Sequence, residues 1–121
     1  MKKLISTTRR PDITFHASGL INITTRVARI LHLTEDACLN IAVEKGEYLL
    51  FAEHYSGRIG THTARCYPVN AGGRYCRAHS IALCNAMLQA CGASEKAPLM
   101  CGEPLTLDGN TYLPIITKKI L

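Results

Sequence analysis

The stretch Ala71-Gly72-Gly73-Arg74-Tyr75-Cys76-Arg77-Ala78-His79-Ser80 holds the chain's densest set of residues able to do chemistry. Gly72 and Gly73 can turn backbone N–H groups toward a phosphate or carboxylate, and Arg74 and Arg77 can grip its oxygens in a fork. The helix expected to begin at Ser80 adds the favourable end of its dipole. Gly72, Gly73, Arg74 and Arg77 therefore form a candidate anion site for a small molecule. The stretch lacks the Lys-Ser/Thr ending of a P-loop and the glycine spacing of a dinucleotide fingerprint. The alternative is an ordinary exposed loop closed by a Ser80 cap, the commoner fate of such a stretch. With the rings of Tyr67 and Tyr75, the same arginines can combine phosphate neutralisation with base stacking. Aromatic residues are only 6% of the chain and Trp is absent, which favours contact with a duplex backbone over a dedicated single-strand platform.

Thiol chemistry has two candidate pairs, Cys76 with His79 and Cys66 with His62, each a thiolate beside a base. Neither stands in a recognisable catalytic context, so no catalytic residue is assigned and the chain reads as non-enzymatic. The six cysteines, Cys38, Cys66, Cys76, Cys84, Cys91 and Cys101, contain no C-x-x-C pair. His16, His54 and His62 could join them around a metal, but no spacing marks a site, so neither metal nor cofactor is expected. Met1-Lys2-Lys3-Leu4-Ile5 imitates the basic end of a signal peptide, yet Ser6-Thr7-Thr8-Arg9-Arg10 follows where an apolar core is needed. The expectation is a cytoplasmic protein whose cysteines are reduced, small, buried hydrophobes. Apolar runs such as Tyr48 to Ala52 fall far short of the ~18 residues of a membrane span.

The elements that must position these groups belong to one core, because 121 residues with 47% hydrophobic and 19% charged content suit a single domain. The net charge of +5 is unevenly spread. From His54 to Ser94 there is no Asp or Glu, while Arg58, Arg65, Arg74 and Arg77 all fall there. Residues 1–10 form a basic arm carrying Lys2, Lys3, Arg9 and Arg10, expected to be flexible.

After Pro11, alternation places Ile13 and Phe15 on one face of a strand. Ser18-Gly19 turns the chain, and Leu20 to Ile23 forms a second strand, with Thr24 or Thr25 as the cap of a short helix. In that helix Val27, Ile30 and Leu31 face inward while Arg26 and Arg29 share another side. Leu39, Ile41 and Val43 then alternate in a strand, Lys45-Gly46 turns, and Glu47 to His54 pairs back. Arg58 to Tyr67 is a weakly apolar further strand. Ser80 to Cys91 is the clearest helix, stopped by Gly92, with Cys84 and Cys91 two turns apart and too distant to pair. Asp108-Gly109 marks a terminal hairpin, whose Pro114 is expected at an edge or end.

The order strand, Gly turn, strand, short basic helix, strand, hairpin over residues 13 to 51 resembles the AbrB/SpoVT/MazE family of swapped-hairpin DNA-binding domains. Ser18-Gly19-Leu20-Ile21-Asn22-Ile23-Thr24 stands where the family has its Gly-x-Val-x-Ile-Pro run, with Thr24 in place of the Pro. Thr25-Arg26-Val27-Ala28-Arg29-Ile30-Leu31-His32-Leu33 resembles the helix ending in Leu-Gly-Leu, with His32 in place of the Gly. Leu39 to Val43, Lys45-Gly46 and Tyr48 to Leu50 resemble the final hairpin. The resemblance implies an interlaced homodimer of a small bacterial DNA-binding or regulatory accessory protein. By the resemblance Arg29 falls at a family basic position in the helix; with Arg26 on the same side it would contact duplex DNA, and Arg9 and Arg10 of the arm could reach the phosphate backbone. The predicted fold class is thus α+β: a swapped-hairpin-like β-α-β-β half over 11–55, extended over 56–121 by a strand, a helix and a C-terminal hairpin. The alternative function is a non-enzymatic binding module for an anionic small molecule or a protein partner.

Overall fold

A computed structural model describes residues 10–54, 64–69, 75–118 and 120–121. Its strands are β1 (Ile13–His16), β2 (Leu20–Thr24), β3 (Ala37–Glu44), β4 (Glu47–His54), β5 (Ala64–Arg65), β6 (Tyr67–Val69), β7 (Tyr75–His79), β8 (Lys96–Cys101), β9 (Leu105–Leu107) and β10 (Asn110–Ile116). Two helices, α1 (Thr25–Leu31) and α2 (Ile81–Cys91), interrupt them.

The local reading holds for most elements. The alternation in β1 and β2 buries Ile13, Phe15, Ile21 and Ile23 and leaves Thr14, His16 and Asn22 on the other face. Lys45-Gly46 and Asp108-Gly109 both adopt positive φ at each residue (50° and 79°; 50° and 80°). That is the geometry of two-residue hairpin turns matching strand twist. Ser80 caps α2 by accepting the Leu83 N–H at 3.1 Å, and Gly92 ends it in the left-handed region. Thr24 precedes α1 without capping it; its hydroxyl donates to the Asp12 carbonyl at 3.2 Å.

The arrangement of these elements overturns the α+β swapped-hairpin expectation. Strand makes up 51% of the structure and helix 19%, in a nearly closed, barrel-like antiparallel sheet with two short helices. The order across the sheet is β5-β3-β4-β10-β8-β1-β2-β7-β6, with β9 added on β10. Strands of the first half take their partners from the second: β1 pairs with β8, β2 with β7 and β4 with β10. The first half is therefore woven into the sheet instead of standing as a separate swapped-hairpin unit. Only Cys66 separates β5 from β6, so one short segment reaches β3 with its first residues and β7 with its last. Counting that segment as one strand gives the ring of eight. Closure satisfies edge N–H and C=O groups that an open sheet would expose.

The core lies inside this ring. Phe15, Ile21, Leu50, Leu99 and Leu113 are fully enclosed, each such side chain contributing roughly 1.5–3 kcal/mol of burial. α1 presents Val27 and Leu31 inward and packs on β10, β2 and β7, strands from opposite sides of the ring. α2 lays Cys84, Met87 and Leu88 against β1, β8 and β2. Pro114, expected at an edge, lies inside the sheet, because β10 runs between β4 and β8. It faces Leu49 of β4 where its other neighbour changes from β9 to β8, and its carbonyl accepts the Gly102 N–H at 2.8 Å.

Candidate anion site on the outer face of the barrel

β1, β2 and β7 are consecutive neighbours, and their outward residues stand in rows set by register. Thr14 faces Asn22, Asn22 faces Arg77, and Arg77 faces Tyr67 on β6. Above this row the chain entering β1 brings Arg10 and Pro11. Arg10, Pro11, Thr14, Asn22, Ile23, Thr24 and Arg77 enclose an open cleft of about 380 Å³. Among the described residues no carboxylate lines it, and neither Arg10 nor Arg77 is ion-paired. Two arginines thus line the cleft together with hydroxyl and amide residues. Such a set can bind the oxygens of a phosphate or carboxylate by charge-assisted hydrogen bonds.

The supporting contacts fix the floor. The Asn22 amide donates to His16 Nε2 at 3.1 Å, which holds its orientation. Asp12, two residues beyond Arg10, is turned away and buried at 5% exposure. Its carboxylate accepts from Arg26 Nη1 at 3.1 Å and from the Cys101 N–H at 2.8 Å. The nearest acid in sequence is therefore spent in the interior and does not cancel the cleft's charge. At the far end of the row, the Arg65 guanidinium lies 5.5 Å from the Tyr67 ring centroid, and its Nε donates to the Glu35 carbonyl at 3.2 Å.

The residues singled out from sequence separate in space. Arg77 and Arg10, assigned there to two different sites, meet in one cleft. Arg26 is engaged with Asp12, while Arg29 is exposed on the last turn of α1. Gly72, Gly73, Arg74 and Arg9 lie outside the described residues. Sequence reasoning missed Thr14, Asn22 and Thr24; their outward alternation in β1 and β2 was the available signal.

The thiol pairs do not assemble. Cys76 points into the core, while His79 is on the outer face, its Nε2 3.1 Å from the Ser18 carbonyl. His62, the proposed partner of Cys66, lies outside the described residues. Cys66 and Cys76 are instead both buried inside the barrel, their thiols directed at the carbonyls of Ala64 (4.0 Å) and Arg77 (3.7 Å); their interaction with each other raises the pKa of Cys66 and lowers that of Cys76. Among the described residues, no three His, Cys, Asp or Glu side chains gather as a metal site. A second cleft, of about 460 Å³, lies between the β3–β4 turn and the end of β10, but there Glu47 sits with Lys45 and Lys118. Among the described residues, no helix is long and apolar enough to cross a membrane. Comparison with protein-family models, curated proteins and solved structures finds no match to this chain.

Proposed function

We propose that the barrel is a non-enzymatic binding module for an anionic small molecule, held in the outer cleft between Arg10 and Arg77. The observation that carries this reading is that Arg10 and Arg77 line one cleft together with Thr14, Asn22 and Thr24, with no acid lining it among the described residues. The six unpaired cysteines, five of them buried, suit a reducing cytoplasm as the working compartment. The test is the thermal unfolding midpoint in inorganic phosphate and pyrophosphate at fixed ionic strength. Mass action predicts a rise of several degrees once ligand greatly exceeds its dissociation constant. The rise should disappear in Arg10→Ala/Arg77→Ala. An equal rise in both proteins would remove the cleft from the account.

A homodimer on duplex DNA is the second reading, favoured by the exposed Arg29 on α1, which has no ion-pair partner among the described residues. It no longer draws on a swapped-hairpin fold. It predicts that Arg29→Ala weakens binding across DNA sequences and flattens the salt dependence. An unchanged slope would exclude the helix as the contact.

A further inference from the structure

We propose that the cleft continues along its register row to Tyr67 and takes a nucleoside monophosphate, with the phosphate between Arg10 and Arg77 and the base against the Tyr67 ring. This rests on the anion reading and names its ligand. Tyr67 is 53% exposed, unusual for a large aromatic side chain in a strand, and it stands directly opposite Arg77. From Tyr67 through Arg77 to Asn22, the cleft floor, is two strand spacings, about 9.6 Å. That separation leaves room for a sugar between a stacked ring and a bound phosphate. Arg65 lies over the Tyr67 ring, 5.5 Å from its centroid, and adds a cation beside the aromatic group that can favour a base there. Asn22 and Thr14 follow Arg77 in the row on the side away from Tyr67, where their amide and hydroxyl groups can meet phosphate oxygens.

Calorimetric titration of the full chain with adenosine 5′-monophosphate, inorganic phosphate and adenosine tests this. The monophosphate is expected to bind at least about fivefold more tightly than phosphate, the lower end of what one stacked base contributes. Tyr67→Ala should bring it down to the affinity of phosphate, leave phosphate binding unchanged and, because the ring is half exposed, preserve the unfolding midpoint; Tyr67→Phe should retain wild-type affinity. If phosphate binds and the monophosphate binds no tighter, or Tyr67→Ala binds the monophosphate as wild type does, the nucleotide assignment is overturned while the anion cleft stands. If neither phosphate nor monophosphate binds, both fail.

Discussion

Asp12 shows how one residue decides the roles of several others. Its carboxylate is buried between the Arg26 guanidinium and the Cys101 N–H, while its own N–H donates to Leu99 and its carbonyl accepts the Thr24 N–H. It joins the start of β1, the β2–α1 junction and the end of β8. Arg26 is half exposed, so solvent screens the ion pair, and the larger loss on Asp12→Ala is the buried Cys101 N–H left without a partner. The expected destabilisation is about 2 kcal/mol by denaturant unfolding, whereas Arg29→Ala should change stability by less than about 0.5 kcal/mol. Nothing in the sequence ties Asp12 to Arg26, which are 14 residues apart in the chain. Helical spacing alone therefore grouped Arg26 with Arg29 as one basic side. Arg77 is legible as a candidate anion ligand, but its place in one cleft with Arg10 is not, because that placement depends on β1, β2 and β7 being adjacent.

Cys101 adds a pH dependence at the same junction. Burial, with the Asp12 charge beside it, pushes its thiol from the ordinary 9.0 up to about 12. The folded state thus disfavours the thiolate that the unfolded chain forms freely. This contribution to stability is intact below pH 9 and is lost as pH rises from about 9 toward 12. Cys101→Ala should flatten the fall in unfolding free energy over that window; an identical pH profile in the variant would remove Cys101 as its source.

At the scale of elements, the turn between β1 and β2 meets the end of β7 and the start of α2. Gly19 has φ +97°, and a Cβ there would sit 2.7 Å from His79 Nε2 and 2.9 Å from Ile81 Cγ1. Its carbonyl also accepts the Ser80 N–H at 2.8 Å. Gly19→Ala is expected to cost more than about 1 kcal/mol, from backbone strain and the close contacts together. Ser80→Ala should cost about 1 kcal/mol through the lost cap. Chemical denaturation of the two variants checks the order; a neutral Gly19→Ala would show that the β7–α2 junction yields. Elements governed by local signals were legible: the Asp-Gly and Lys-Gly turns, the Ser80 cap, the alternation in β1 and β2, and the pairing of β3 with β4, although burial does not alternate along these two and Val43, expected inward, is exposed. The sequence does not mark β8, since Ala97-Pro98-Leu99-Met100 carries a Pro and no β-branched residue, and β7 reads as part of a loop because Arg77 and His79 mask the inward Cys76 and Ala78.

For the whole molecule, what failed was the partnering of strands. A β-α-β-β order over the first half fits both a swapped hairpin and a continuous barrel. The choice is made by long-range pairings of β1, β2 and β4 with strands of the second half, which no local pattern encodes. Because one chain closes the core, the unfolding midpoint is expected not to shift with protein concentration; a midpoint that rises with concentration would reveal strands exchanged between chains.

The barrel's proposed role depends on where an anion binds, and a two-dimensional amide NMR titration with pyrophosphate locates it directly. The expected result is saturable shifts centred on Thr14, Asn22, Thr24 and Arg77, absent in Arg10→Ala/Arg77→Ala, with α1 unaffected. Shifts centred on Arg29 and α1, or none at all, would contradict the account.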